Sequence, residues 1–428
     1  MNHFELKDGV LHAEGVSIER IAEEVGTPVY IYSRATLVRH FRVMQRAFSD
    51  IDHTICYAVK ANSNIAVLQL LAKLGSGFDI VSDGELRRVL FAGGDPKKVV
   101  FSGVGKTREE VKSALKAGIL CINIESAFEI DLVEAVAAKM GLVAPVSLRV
   151  NPDVDAKTHE YIATGLSSNK FGVPMADALE LYRRIHASPH MDAFGVDCHI
   201  GSQITEVDPL IEAMDRMLGL VDQLRADGMD IHHLDMGGGL GIRYRDETPL
   251  TPKALGEAYA ARLKPRGLRL VVEPGRVICG NAGVLVMRVL GDKTNGDKRF
   301  CVVDAAMNDN IRPSLYKAYQ GIDAVKPRPG HTVTVDIVGP VCESGDFFAR
   351  DREVSPFEAG DLVAMRSCGA YGFTMASNYN SRPRPAEVMV HGDCYTVIRR
   401  RESAADLFAL EQRLDDDWSG LRADDSAV

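Results

Sequence analysis

From Thr54 to Glu273 the chain alternates between short apolar runs and longer stretches whose apolar residues recur at helical spacing. The runs are Thr54–Val59, Phe78–Ser82, Lys98–Ser102, Ile119–Ile124, Pro145–Val150, Ala193–Cys198, Ile231–Met236 and Leu268–Glu273. Each has ordinary strand length and is apolar or β-branched enough for a strand buried on both faces. Helix signals lie between them. Ser82-Asp-Gly-Glu85 has capping-box spacing before an apolar stretch, and Thr107 to Gly118 opens with a cap and acids and closes on Lys then Gly. Glu206–Asp227 carries Leu210, Met214, Met217, Leu218, Val221 and Leu224 on one helical face. Eight such units in roughly 220 residues fit an α/β architecture, a TIM-like (β/α)8 barrel of about 250 residues. An open doubly wound sheet competes with it, because periodicity alone does not show closure.

After Arg276 the pattern changes. Gly283–Leu290, Arg299–Asp304, His331–Val338, Asp361–Met365 and Tyr395–Arg399 read as strands joined by loops, which predicts an all-β second domain. Short strand-like pieces before about Ser33 can pair with it, and Ala404 onward reads as a helix followed by an acidic tail. The expected division is a barrel over residues 32–276 and a β-sandwich or barrel-like domain from both chain ends, 1–31 and 277–428.

Composition narrows the function without naming it. The 428 residues carry 50 basic and 59 acidic side chains, a net charge of −9, which argues against a nucleic-acid partner. No run approaches the roughly 20 apolar residues of a spanning helix, and the N-terminus lacks a signal-peptide pattern. The eight cysteines are dispersed without a C-x-x-C pair, which points to a reducing cytoplasm and mostly to core packing.

A (β/α)8 barrel places its active site where the strands end, so the residues just after each run are the ones to inspect. Lys60 follows the first, Asp79 lies in the second, and His199 follows the sixth. The seventh runs into Gly237-Gly-Gly-Leu-Gly241 and the eighth into Glu273-Pro-Gly-Arg276. Singly these are weak: a solvated lysine, a structural histidine and a plain tight turn are the ordinary readings. The glycine run lacks the dinucleotide fingerprint because position 242 is Ile, and Gly105-Lys-Thr107 lacks the upstream glycine of a P-loop. Together they make sense. Bare backbone closes on phosphate, a lysine forms a Schiff base with a carbonyl cofactor, and a carboxylate pairs with a pyridinium nitrogen. That combination suits pyridoxal 5'-phosphate (PLP). Glu85 reads as a helix cap, Arg149 and His159 as neighbours on the same rim, and His232 and His233 alternate along a strand and so form no metal pair. No metal site is expected.

These motifs, Tyr57-Ala-Val-Lys-Ala-Asn62, His199-Ile-Gly-Ser-Gln203, Gly237 to Gly241 and Glu273 to Arg276, resemble those of the fold-type III PLP decarboxylases, a group that includes ornithine, arginine and diaminopimelate decarboxylases. Further stretches resemble the diaminopimelate branch: Gly26–Ser33, Asn308–Tyr316, Cys342–Arg352 and Gly369–Asn380. The resemblance implies that Lys60 holds PLP, that His199 stacks on its ring, and that Glu273 keeps the ring nitrogen protonated. It puts Ser202, Gly238, Gly239 and Tyr371 near the phosphate, with Asp79, Gly275 and Arg276 also on the cofactor. It implies that Arg276, Arg312, Tyr316, Glu343 and Tyr371 bind substrate, and that Cys342, contributed across a homodimer interface, or else Lys60, returns a proton. The implied reaction is decarboxylation of meso-diaminopimelate to L-lysine. Arg312 would separate that substrate from ornithine or lysine, which lack a distal carboxylate. The alternatives are a relaxed decarboxylase of basic amino acids and an inactive scaffold, which typically loses the lysine or the cysteine. Alanine racemase shares the barrel but has an arginine where Glu273 stands.

Overall fold

The structure is a computed structural model that describes residues 2–155 and 169–414. Eight strands follow one another as the apolar runs predict: β1 (His53–Ala58), β2 (Gly77–Ile80), β3 (Val99–Phe101), β4 (Cys121–Ile124), β5 (Ala144–Asn151), β6 (Met191–Asp197), β7 (His233–Asp235) and β8 (Arg269–Val272). Each pairs in parallel with the next. β8 pairs in parallel with β1, Val271 opposite Thr54, so the sheet closes into a barrel and the open arrangement is excluded.

The two faces of the barrel strands differ more than the runs suggest. Residues turned outward, among them Tyr57, Phe78, Val99, Ile122, Leu148, Val196, Leu234 and Leu270, join one large apolar core under the helices. The alternate residues face the barrel axis. At the amino-terminal end these are Cys56, Val100, Cys121 and Val271, a small apolar layer of their own. Nearer the carboxyl end the same alternation turns polar, with Asp79, Asn123, Ser147, Arg149, Asp197, Asp235 and Glu273 all buried. The barrel is therefore dry at its base and ionisable at its top.

The helices begin where their caps predict. Thr107 and Glu110 make a full capping box for Arg108–Ala117, which Gly118 ends at φ +68°. Ser82 caps Asp83–Phe91, but Glu85 reaches back to the Val81 amide instead of that of Ser82, so the box is only half formed. The long helix spans Asp208–Ala226.

The second unit is a nine-stranded sheet built from both chain ends. Val29–Ser33 lies between Gly283–Asn295, antiparallel, and Ala386–His391, parallel. Its alternation serves two cores: Tyr30 and Tyr32 pack on one side, Val29 and Ile31 on the other. Phe347–Val354 and Ala386–His391 are strands that the sequence pattern does not single out. The first has the polar run Arg350-Asp-Arg352 at its centre and pairs on one side only, so its sequence lacks a buried-strand signature.

Candidate active site

Lys60 sits in a single 3-10 turn, Val59–Ala61, directly after β1. Its Nζ donates to Asp79 Oδ2 at 2.5 Å, the two side chains projecting from neighbouring strands. Burial opposes the charge on Lys60, but Asp79 and then Glu273 outweigh it and hold the ammonium above its ordinary value. Asp79 does not line the cavity itself; it meets the site through this contact and through its charge, which also acts on Glu273.

Three loops close over the barrel beside Lys60. His199, after β6, accepts from the Gly238 amide on Nδ1 at 3.2 Å. Burial first, then Arg149 and Lys60, push its imidazole well below the ordinary range, so the ring is neutral. The glycine run after β7 is a close approach. A Cβ on Gly238 would lie 2.3 Å from the Glu273 carbonyl oxygen, and one on Gly239, at φ +109°, would lie 2.5 Å from that of Gly201. No side chain fits at either position, and the reading of a plain tight turn gives way to a packed cradle. Gln203 clamps the strand of loop beyond it, donating to the Ile242 carbonyl and accepting from its amide. After β8, Glu273 is buried and accepts from Ser102 Oγ at 3.4 Å. Gly275 leads into the turn Arg276–Cys279, packed against Ala58 and Ala61.

The inner cavity, about 380 Å³ of empty space, is lined by Lys60, His199, Ser202, Gly238, Gly239, Glu273, Gly275, Arg276 and Tyr371. Lys60, His199, the glycine run and the Glu273–Arg276 segment come from strand ends, some more than 200 residues apart, as expected, whereas Ser202 and Tyr371 were expected from the resemblance alone. Tyr371 comes from the β domain, held at φ +56° with its amide donating to the Ala61 carbonyl at 2.8 Å. Ser202, Arg276 and Tyr371 also line an outer cavity of about 810 Å³, with Gln203, Tyr244, Glu247, Arg312, Tyr316 and Tyr319. Arg276 donates to Ser202 Oγ at 3.1 Å and to Tyr244 Oη at 2.5 Å. The Tyr244 ring lies 5.0 Å beneath the Arg312 guanidinium, and Arg312 Nη1 is buried without a hydrogen-bond partner. Two guanidinium groups thus lie against one aromatic ring, and one has a buried nitrogen left unsatisfied.

Cys342 and Glu343 stand apart. Both are exposed, and neither lines either cavity of this chain. His159 lies outside the described residues. Arg149 is on the rim but is bound to Glu125 at 3.2 Å. Glu85, pushed up to about 7 by burial, keeps its role at the helix start and lines neither cavity. His233 packs its ring where a Cβ on Gly195 would sit, within 2.2 Å, and so is a structural histidine. Residues the sequence did not single out are Tyr244, on an irregular loop without a motif, and Asp197 and Asp235. These two lie within 4.8 Å of Glu273, measured between carboxylate oxygens. Their signal was present: both interrupt apolar runs at inward positions.

Comparison with known proteins agrees with this geometry. The profile of the pyridoxal-binding domain of the pyridoxal-dependent decarboxylases matches residues 34–280. A diaminopimelate decarboxylase of Vibrio cholerae serotype O1 is 55% identical over 416 residues, 97% of this chain and all of that protein. One from Pseudomonas aeruginosa is 54% identical over 414 residues, again 97% of this chain and all of the relative. Among solved structures, the diaminopimelate decarboxylase of Helicobacter pylori complexed with L-lysine superposes with a TM-score of 0.89 at 42% identity, covering 92% of this chain and 98% of that one.

Proposed function

The chain belongs to the pyridoxal-dependent decarboxylases, in their diaminopimelate decarboxylase branch, and we infer that it converts meso-2,6-diaminopimelate to L-lysine and CO2, the last step of lysine biosynthesis. The observation that carries the substrate is Arg312. A guanidinium buried with an unpaired Nη1, beside Arg276 on the Tyr244 ring, calls for a planar anion that accepts from both. Diaminopimelate brings a carboxylate at its far end. Ornithine brings none, and would leave the buried cation unpaired.

The residues of the inner cavity fit PLP. It offers a primary amine (Lys60), a neutral flat ring (His199), a buried carboxylate (Glu273) and backbone stripped of side chains at Gly238 and Gly239. When bound, PLP supplies an electron sink for the charge left by departing CO2. In this reading Lys60 holds the cofactor through its amine, and Asp79 keeps that lysine in place. Glu273 would hold a proton on the ring nitrogen, and His199 would lie against the ring. Ser202, Gly238, Gly239 and Tyr371 would form the phosphate side, with Gly275 also on the cofactor. Arg276, Arg312, Tyr316 and Tyr371 bind the substrate's far end and orient the departing carboxylate.

The proposed working unit is a homodimer. Its support is that Cys342 and Glu343 are exposed and away from this chain's own cavities, leaving them free to complete a partner's site. There Cys342 Sγ would return a proton to the carbon that lost CO2, and Glu343 would bind the distal ammonium. With the chain divided at residues 31/32 and 276/277, Lys60 and Glu273 belong to the barrel and Arg312 and Tyr371 to the β domain, so one site needs both. The proposed setting is cytoplasmic, which suits eight free thiols. Among the described residues no helix is long and apolar enough to cross a membrane. The test is CO2 release from meso-diaminopimelate beside D-lysine and L-ornithine. Release from diaminopimelate alone is expected; equal release from all three would overturn the substrate assignment.

A further inference from the structure

We propose that Asp197 and Asp235 keep a proton directly behind Glu273, and that this buried pair, as a positioning device, leaves Glu273 its negative charge. The three carboxylates come from the ends of β6, β7 and β8, with Asp197 opposite Asp235 in register, and lie within 4.8 Å of one another. All are buried. Asp235 Oδ1 accepts from the Gly237 amide at 2.8 Å, but Asp235 Oδ2 and Asp197 Oδ1 have no donor. A shared proton provides the missing donor.

The surroundings do not supply the charge by other means. The neighbouring ionisable groups are Lys60 beside β1, Asp79 on β2, Glu125 after β4, Arg149 on β5, the thiols of Cys56, Cys121 and Cys198, and the Tyr182 hydroxyl; His199 is neutral. The two cations are engaged elsewhere, Lys60 by Asp79 and Arg149 by Glu125. Three unpaired carboxylates that close together, out of water, do not all stay ionised. Burial accordingly raises all three above the ordinary carboxylate range, Asp235 to about 7; repulsion within the trio adds to this at Asp197 and Glu273, whereas at Asp235 the added charge is that of Asp79 and a hydrogen bond with Glu273 opposes it. Of the three, only Glu273 lines the inner cavity, so a cationic ring nitrogen there favours the arrangement with Glu273 ionised and the proton on the pair behind it.

That last step rests on the cofactor reading; the proton itself does not. The test is infrared spectroscopy of the holoenzyme at neutral pH, following the carbonyl stretch of a protonated carboxylic acid by its shift in D2O. Difference spectra against each variant cancel the other acids of the protein. The band is expected to persist in Glu273→Gln, to weaken in Asp197→Asn and in Asp235→Asn, and to vanish in the double variant. Asp235→Asn should also lower kcat at least tenfold while cofactor affinity, read by absorbance titration, changes less than about threefold. Absence of the band in the native protein, its loss in Glu273→Gln with retention in the double variant, or a stoichiometric divalent metal in the purified protein would overturn the proposal. The single variants keep it testable if the double one does not fold. A native protein inactive on diaminopimelate would sink the decarboxylase reading and leave the infrared result to stand or fall alone.

Discussion

Arg312 concentrates the specificity argument in one side chain. Its guanidinium is nearly enclosed, stacked on Tyr244 and short of one hydrogen bond, a condition that a bound carboxylate relieves. Truncating it removes a charge-assisted contact worth about 2–3 kcal/mol, so Arg312→Ala should lower kcat/KM for diaminopimelate roughly 30- to 150-fold. Cofactor absorbance should stay unchanged; loss of the cofactor together with activity would mean that Arg312 acts on the fold. Lys60→Ala should behave oppositely and abolish the visible absorbance of the bound cofactor. At this scale the sequence was informative wherever a reactive residue followed a strand, as at Lys60, His199 and Glu273. It was silent at Tyr244, whose position depends on a loop that no period describes.

The strand ends do at the scale of elements what single residues cannot. The loops after β6, β7 and β8 pack so closely that backbone meets backbone, and Gly239 takes a left-handed φ that a side chain resists. Gly239→Ala should therefore weaken cofactor binding at least tenfold, measured by absorbance titration, because the loop must open to admit the methyl group. Within the barrel, Gly195→Ala forces a Cβ into the His233 ring and should destabilise the protein by about 1–3 kcal/mol, an overpacking cost. Combining it with His233→Ala should recover much of that loss, and a strictly additive pair would refute the contact. The period-two pattern inside β2, β4, β5, β6 and β7 was legible in the sequence. Taken only as generally apolar runs, these strands showed Asp79 and Arg149 singly but concealed the shared inner face that also carries Asn123, Asp197 and Asp235.

For the whole molecule, two expectations follow from how charge and subunits are arranged. If Cys342 completes the partner's site, mixing inactive Lys60→Ala with inactive Cys342→Ala and allowing exchange should restore activity to about a quarter of the native level. Mixtures that stay inactive while forming heterodimers would place Cys342 outside the reaction. The second concerns acid stability. His199 and His233 are held neutral by burial, His233 down to about 3, so below the unfolded value near 6.5 the unfolded chain binds more protons and stability falls with pH. Asp235 works in the other direction: raised to about 7 by burial, it holds a proton in the folded state that the unfolded chain releases above about pH 4. It thus adds stability as pH falls from 7 toward 4 and offsets the histidines. Asp235→Asn removes that offset, so its melting temperature should fall more steeply than the native protein's on acidification from neutral pH to about 4.5. Parallel slopes would show that Asp235 titrates as an ordinary surface acid.

The sequence by itself determined the eight alternating units, the change to strands after Arg276, and the reactive residues at the strand ends, because local period and cap chemistry are written into neighbouring positions. The −9 charge argued against a nucleic-acid partner yet had no bearing on a site built around Arg276 and Arg312. Closure of the barrel was decided only by the pairing of β8 with β1, a contact between residues more than 200 positions apart that leaves no trace in local period. So were the unpaired guanidinium on Tyr244 and the three carboxylates gathered at the barrel top, since proximity across strands sets charge and solvation, and those set the chemistry.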